Sequence, residues 1–171
     1  MNKIAKFEKV SFEEFEKEVR KIYDNTCSKK EIFDFYDKIE LPTRATSGSA
    51  GYDFKCPFPY VHICKNLPVV IPTGIRVKIE DGWVLKIYPR SGLGFNNGLE
   101  LVNTVGIIDS DYYHSDNEGH IILKINHTEG EYEMRLQQNQ GFVQGIFEPY
   151  GLTIDDNVKN TRNGGFGSTD K

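Results

Sequence analysis

The chain has 171 residues, of which 38% are hydrophobic and 27% charged, which is typical of one soluble globular domain with a substantial core. Its net charge of -4 argues against a nucleic-acid binder that works by neutralising phosphates. No apolar run approaches the roughly 20 residues that cross a bilayer, so we expect no membrane association.

Cysteine and histidine usage also limits the possibilities. Cys27, Cys56 and Cys64 are odd in number and irregularly spaced, which indicates a reducing compartment and no disulfide framework. The N-terminus lacks the apolar core of a signal peptide, so we expect a cytoplasmic protein. The four histidines match no common zinc spacing, so we expect no structural metal site.

The first forty residues predict a short strand and two helices. Residues 4–10 have the composition of a strand. Ser11-Phe-Glu-Glu14 has the form of a capping box, and apolar residues then recur at helical spacing, which predicts a helix over 12–23. Ser28-Lys-Lys-Glu31 repeats the capping pattern before a second short helix. We expect the helical segment 11–40 to cover one edge of the main domain.

From residue 41 onwards the pattern is that of an all-β domain, with no further helix-length periodicity. Short apolar and β-branched segments alternate with Gly, Pro, Asn and Asp turns. The predicted strands are 61–64, 69–71, 74–79, 82–88, 99–103, 119–126, 131–136 and 141–147. Many short strands at even spacing indicate a barrel or a jelly-roll-like sandwich. We therefore divide a single domain, 1–171, into the helical segment, a β core over 41–150 and a C-terminal arm over 151–171.

Two neighbouring segments have the composition of an anion site and an acid–base site. Arg90-Ser91-Gly92 follows a strand, where successive backbone N–H groups and a guanidinium would suit phosphate oxygens; an ordinary surface turn fits as well. Asp109 follows a strand or hairpin predicted to be buried, and such a carboxylate is suited to activate water. A turn in which Asp109 or Asp111 caps backbone N–H groups is equally compatible. Tyr112 would stack on a base or sugar, or pack at an edge.

Two further segments are weaker candidates. Asp53 lies in a tight turn, where it would orient a metal-bound water or satisfy local backbone groups. The glycine-rich end of the chain places Phe166 in a flexible frame downstream of Arg162. Such a segment is typical either of a lid that orders on a ligand or of a disordered terminus.

Five segments, taken in order, resemble the trimeric deoxyuridine triphosphatase (dUTPase) family. They are ATSGSAGYDF at 45–54, PRSGLG at 89–94, NTVGIIDSDY at 103–112, GFVQ at 141–144 and GGFGST at 164–169. The resemblance implies a dUTPase-like β-barrel or jelly roll of the β-clip type. It also implies a homotrimer with active sites shared between neighbours, and hydrolysis of dUTP to dUMP and pyrophosphate.

The resemblance also implies roles for individual residues. Asp109 corresponds to the general base that activates the attacking water, and Tyr112 to the residue that packs under the deoxyribose. The uracil pocket would be Asn103 with the backbone of Gly106 to Ile108. Phosphate contacts would come from Arg90, Ser91, Gly92 and Gln144. Mg²⁺ would be held mainly by the triphosphate, with no direct protein ligand and with Asp53 near its water shell. Phe166 would close over uracil as part of a flexible lid that also carries Arg162, Gly167 and Ser168.

The sequence departs from the family pattern in four places. Residues 11 to about 40 have no counterpart in the minimal pattern, and His114 stands where glycine is usual, followed by a lengthened loop. Gly141 replaces a basic residue, and Arg162 is one residue closer than usual to the Gly-Gly pair. Two alternatives remain open: a dCTP deaminase-like or bifunctional relative, and a nucleotide-sensing regulatory protein that binds a partner through the helices of 11–40.

Overall fold

Short antiparallel strands make up most of the computed structural model, which describes residues 2–24 and 26–159. The strands are β1 (Ala5–Lys9), β2 (Thr43–Arg44), β3 (Tyr52–Lys55), β4 (Tyr60–Cys64), β5 (Val69–Pro72), β6 (Ile75–Ile79), β7 (Trp83–Pro89), β8 (Leu99–Leu101), β9 (Gly106–Ile108), β10 (Ile122–His127), β11 (Glu133–Gln137) and β12 (Gly141–Pro149). The helices are α1 (Phe12–Tyr23), α2 (Lys29–Asp37) and α3 (Ser91–Asn97), with a 3-10 helix at Ser110–His114.

The strands pair in four groups. The largest sheet has the order β2-β3-β12-β7-β9, and a second has the order β5-β10-β8. Strand β1 pairs with β6, and β11 pairs with β4. Because β1 joins β6, the chain enters the β core before the two helices begin. Side chains from all four groups meet in one core, whose fully buried members include Phe54, Ile63, Ile71, Leu85, Ile125 and Phe142.

The two N-terminal helices form where the sequence predicts them and pack on the same core. Phe15 and Val19 of α1 and Ile32 of α2 are almost completely buried in it. Burying side chains of this size stabilises a fold by about 1.5–3 kcal/mol each. The Tyr36 hydroxyl donates to the Val10 carbonyl (2.6 Å), which fastens α2 to the end of β1. None of the described helices is long and apolar enough to span a membrane.

The N-terminal cap of α2 is as predicted, and that of α1 is not. Ser28 and Glu31 form the complete capping box expected for α2. At α1, Ser11 accepts from the Glu14 N–H, but Glu14 does not reach back to Ser11. That half of the prediction is wrong, because Glu14 points into the protein and Glu118 takes its place.

Three further details correct the sequence analysis. Asp53, which was predicted to lie in a tight turn, is the second residue of strand β3. The expected turn at Arg90-Ser91-Gly92 is the start of helix α3, although its glycines and asparagines are poor helix formers. The helix ends at Gly98, which adopts a left-handed conformation (φ 58°) and donates back to the Gly94 carbonyl. The hairpin before Asp109 was predicted to be buried, but Val102 and Ile107 are 48% and 51% exposed.

Candidate active site

A pocket of about 430 Å³ opens beside strand β9. Its walls are residues 102–103, residues 105–108, Tyr112 and residues 121–124. Strand β9 is the last strand of its sheet, so one of its edges is not paired within that sheet. An edge strand presents alternating N–H and C=O groups, which suit a flat ligand with adjacent donors and acceptors. The structure therefore brings together Asn103, Gly106, Ile108 and Tyr112, as the sequence analysis expects.

Glycine at position 106 is explained by the close approach of two strands. A Cβ at Gly106 would lie 3.2 Å from the Cβ of Ile87 on β7, the strand to which β9 is paired. A side chain at this position would require Ile87 or β9 to move by a few tenths of an ångström. Glycine therefore allows the two strands to pack closely at the pocket wall.

Asp109 and Tyr112 follow directly from the pocket wall. Asp109 is the half-buried residue between β9 and the 3-10 helix, and its side chain makes no capping bond to that helix. Tyr112 is 5% exposed. Its hydroxyl donates to the His120 carbonyl (2.8 Å) and accepts from the Asn117 side-chain amide (2.8 Å). Because the hydroxyl both donates and accepts a hydrogen bond, the Tyr112 ring is held in one orientation at the edge of the pocket.

A second cluster lies on the same sheet, at strands β3, β12 and the end of β7. The Arg90 Nε is 3.3 Å from the Asp53 carboxylate, and its Nη1 donates to the Gly141 carbonyl (3.4 Å). Gln144 faces Asp53 across β12 and β3, and its amide donates to the Pro89 carbonyl (3.2 Å). Three segments that are distant in sequence thus converge on one guanidinium. The ion pair between Arg90 and Asp53 was not predicted, because nothing in either segment reveals the other as its neighbour.

Ser91 and Gly92 extend this second cluster. Both are exposed and lie in the first turn of α3, immediately after Arg90. The N–H groups of a first helical turn have no partner within the helix, so successive donors are presented here as expected, although by a helix rather than a turn. We call Asp53, Arg90, Ser91, Gly92 and Gln144 the phosphate half. The pocket half comprises Asn103, Gly106, Ile108, Asp109 and Tyr112.

Arg90 of the phosphate half and Ile108 of the pocket half are well separated within one chain. Strand β9 pairs with β7 so that Ile108 lies opposite Leu85. Arg90 is five residues further along from Leu85, and at roughly 3.3 Å per residue this separates Arg90 from Ile108 by about 16 Å. A base must lie within hydrogen-bond reach of the water it activates. Asp109, which follows Ile108, and Arg90 therefore do not lie side by side within one chain.

Comparison with known proteins identifies the family. A family model described as dUTPase matches residues 37–170. The chain belongs to the dUTPase family. It is 39% identical over 134 residues to the deoxyuridine 5'-triphosphate nucleotidohydrolase of Lactococcus lactis, covering 77% of this chain and 88% of that protein. The corresponding protein of Roseobacter denitrificans is 37% identical over 142 residues, covering 77% and 87%.

Solved structures of dUTPases have the same fold. The dUTPase from Streptococcus mutans superposes with a TM-score of 0.63 at 31% identity, covering 88% of this chain and 98% of that chain. The dUTPase from phage phi11 of S. aureus has a TM-score of 0.58 at 18% identity, covering 72% and 92%. The prediction of a dUTPase-like, mostly β fold is confirmed.

The structure accounts for one departure from the dUTPase pattern. Gly141 stands where a basic residue is usual, and a Cβ there would lie 2.6 Å from the Nη1 of Arg90. The guanidinium of Arg90 occupies the space that a side chain at 141 would need. One cation thus lies where the family pattern has two.

The remaining predicted residues of the dUTPase site lie outside the described part of the chain. They are Arg162, Phe166, Gly167 and Ser168.

The donor set of the described residues fits a magnesium ion that arrives with its substrate. Among residues 2–24 and 26–159, no three His, Cys, Asp or Glu side chains are close enough together to hold a metal. Mg²⁺ commonly keeps several waters and takes its other ligands from phosphates and one or two carboxylates. Asp53, beside Arg90 in the phosphate half, is the carboxylate suited to that arrangement.

Proposed function

We propose that this protein hydrolyses dUTP to dUMP and pyrophosphate, and so keeps uracil out of DNA while supplying dUMP for dTTP synthesis. The observation that carries the proposal is the pocket beside β9, whose wall leads directly into Asp109. Relatives that are 37–39% identical have the name deoxyuridine 5'-triphosphate nucleotidohydrolase.

Base selection would rest on the backbone of β9. Its exposed N–H and C=O groups match the alternating acceptors and donor on the edge of uracil, whereas cytosine would place an amino group against an N–H. A thymine methyl group would meet this closely packed strand wall. The Tyr112 ring, fixed by its two hydrogen bonds, would lie under the deoxyribose and leave no room for a 2'-hydroxyl.

In the proposed chemistry, Asp109 accepts a proton from a water that attacks the α-phosphorus, and pyrophosphate leaves on the opposite side. Phosphoryl transfer depends mainly on positioning and on neutralising charge. Arg90, Gln144 and the first N–H groups of α3 would supply that neutralisation. Mg²⁺, held mainly by the triphosphate and near Asp53 through water, would add further positive charge when bound.

The separation of the two halves supports a homotrimer with shared sites. Because about 16 Å of β7 lies between them, the pocket half of one copy would meet the phosphate half of a neighbour. The C-terminal residues Arg162, Phe166, Gly167 and Ser168 would close over this shared site as a lid.

The rest of the biological setting stays a prediction. We propose a single domain over 1–171 that acts in the cytoplasm without binding nucleic acid. A protein partner on the helices of 11–40 stays a prediction as well. A dCTP deaminase is not favoured, since its chemistry needs an acid–base glutamate near the cytosine ring and residues 103–112 contain no Glu.

The proposal is tested by measuring pyrophosphate release from dUTP, dCTP, dTTP and UTP in the presence of Mg²⁺. We expect turnover of dUTP alone. Release of ammonia from dCTP would instead favour the deaminase, and turnover of all four nucleotides would refute the proposed base and sugar recognition.

A further inference from the structure

The loop after Tyr112 is lengthened relative to the family pattern, and its residues hydrogen-bond to the Tyr112 hydroxyl. The Asn117 amide donates to the Tyr112 hydroxyl (2.8 Å), which in turn donates to the His120 carbonyl (2.8 Å). The loop is closed by its own backbone bonds, from Glu118 to the Ser115 carbonyl and from His120 to the Asn117 carbonyl. The orientation of the Tyr112 ring therefore depends on the conformation of residues 115–120.

Glu118 ties this loop to the first helix. Its carboxylate accepts from both the backbone N–H (2.8 Å) and the hydroxyl (2.6 Å) of Ser11, the N-cap of α1. The backbone of Glu118 has a φ of 58°, a left-handed conformation that is strained for a residue other than glycine and persists only when its surroundings hold it. Burial opposes ionisation of Glu118, but the bonds from Ser11, together with Arg76 and His120, outweigh it and lower its pKa.

A second contact joins α1 to the other end of the loop. His120 is fully buried, and its Nε2 accepts from the Gly74 N–H (2.9 Å). In the described part of the chain, its Nδ1 and the Glu14 Oε1 are both buried without a hydrogen bond, and they lie 3.9 Å apart. The Phe15 ring of α1 lies 6.2 Å from the imidazole. The first turn of α1 thus packs against the residue whose carbonyl receives the Tyr112 hydroxyl.

Capping alone does not explain the bond from Ser11 to Glu118. Helix α2 is capped by Ser28 with Glu31, three residues away, and needs no distant partner. Helix α1 also has a glutamate at the equivalent position, Glu14, but uses a residue 107 positions away. Unlike a local capping box, the long-range bond connects the helix to the loop behind Tyr112.

We propose that Ser11, Asn117, Glu118 and His120 form a brace through which helix α1 positions Tyr112 and so sets discrimination against ribonucleotides. This inference rests on the proposed function, in which Tyr112 lies under the deoxyribose. Asn117 and Glu118 are positioning residues, since they act through Tyr112 rather than on the substrate. The helical segment that is absent from the minimal family pattern is, on this view, part of the frame of the active site.

The test compares the ratio of kcat/KM for dUTP to that for UTP in the full-length protein. Three variants break the brace at different points: Ser11→Ala, Asn117→Ala and Glu118→Gly. Glycine is chosen at 118 because it accepts a positive φ, so only the carboxylate bonds are lost. Ser28→Ala is the matched control, since it removes the same kind of cap from α2 without touching the loop.

We expect each brace variant to lower the dUTP/UTP ratio about tenfold, the equivalent of roughly 1.4 kcal/mol. Ser28→Ala should keep the wild-type ratio even if its thermal stability falls. Ser11→Ala combined with Glu118→Gly should cost no more selectivity than Glu118→Gly alone, because Glu118→Gly already removes both bonds to Ser11. Glu118→Gln, which keeps one acceptor for Ser11, should recover part of the ratio.

Other outcomes would overturn the inference. Folded brace variants with the wild-type ratio would show that the loop does not govern sugar choice. An equal change in Ser28→Ala would show a general effect of helix stability. If the variants at 11 and 118 do not fold, Asn117→Ala decides alone, since it leaves the α1 cap intact. A wild-type protein inactive on dUTP would refute the proposed function itself, which is a distinct result.

Discussion

The pocket half and the phosphate half of the site are built in opposite ways. The pocket half combines the backbone of β9 with Asn103, Asp109 and Tyr112, and Tyr112 is a 5% exposed side chain whose hydroxyl is bonded on both sides. The phosphate half is more exposed: the Arg90 side chain is 43% exposed and, among the described residues, is paired to Asp53 and a carbonyl. In the proposed function, the sugar is thus recognised by a buried side chain, while the charge of the phosphates is met by a more exposed one.

This difference has an energetic basis. An exposed ion pair contributes about 0–1 kcal/mol, so the pair between Arg90 and Asp53 can rearrange around a triphosphate at little cost. Disturbing Tyr112 would leave buried polar groups unsatisfied, at about 1–3 kcal/mol each. The pocket half should therefore govern which nucleotide reacts. The phosphate half should govern how tightly the phosphates are held.

The largest effect is expected from Asp109→Asn in the pocket half. The amide cannot accept the proton of the attacking water, so kcat should fall roughly a thousandfold, within the usual range for loss of a general base. Nucleotide binding and folding should persist, as measured by calorimetry and circular dichroism. Asp111→Asn, which removes the same charge two residues further along, should keep most of the activity. Near-normal turnover in Asp109→Asn would remove Asp109 from the chemistry.

The separation of the halves can be tested by complementation. Arg90→Ala should lower activity about a hundredfold, comparable to the loss of one donor to a developing charge. If sites form between copies, co-expression with Asp109→Asn should restore about a quarter of wild-type activity, since some sites then receive an intact half from each variant. Activity no higher than that of the two variants measured separately would show that both halves act within one chain.

Local signals predicted most of the fold. Capping residues and apolar spacing placed α1 and α2, because those signals act over a few residues. The helix at Ser91–Asn97 was missed because its glycines and asparagines give no helical pattern, and it forms in the context of the surrounding strands. The cap of α1 was half wrong for the same reason: its partner, Glu118, is 107 residues away.

Motifs predicted the candidate site residues, but they did not predict which of these residues lie together. Single segments suggested Arg90 and Asp109 as neighbours in function, since only 18 residues separate them. Strand pairing places them at opposite ends of β7 instead. Likewise, nothing in the sequence shows that Asn117 and His120 hold Tyr112, because those bonds depend on the path of the loop.

As the pH falls, the protein should lose stability through His120, which lies behind the pocket half, before its carboxylates are protonated. Burial, assisted by Lys17 and opposed by Glu118, lowers the pKa of His120 from 6.5 to about 3. Below pH 6.5 the unfolded chain therefore binds a proton that the folded protein does not, and stability falls as the pH falls. At pH 5 the loss should be about 2 kcal/mol. Urea unfolding at fixed protein concentration from pH 7.5 to 4.5 measures it.

The pH window separates this effect from that of the acidic groups. The pKa of Glu8 lies near 2, mainly through its hydrogen bond from Lys6, so its contribution is lost only as pH falls below 4.5. His120→Gln keeps an acceptor for the Gly74 N–H but cannot be protonated, so its stability should vary less between pH 6.5 and 4.5. An identical pH dependence in the variant would assign the effect to another group.

The smallest effect is expected from Gly141→Ala in the phosphate half. The added Cβ would lie 2.6 Å from the Arg90 Nη1, so the guanidinium must shift away from the Gly141 carbonyl and from Asp53. Because the clashing atom is the end of a flexible side chain, stability should change by less than about 0.5 kcal/mol. KM for dUTP should rise about threefold with kcat nearly unchanged, the equivalent of roughly 0.7 kcal/mol of phosphate binding. Gly151→Ala, where a Cβ meets nothing within 4 Å, serves as the control. An unchanged KM would mean that the position of Arg90 in the single chain is not the one that meets the triphosphate.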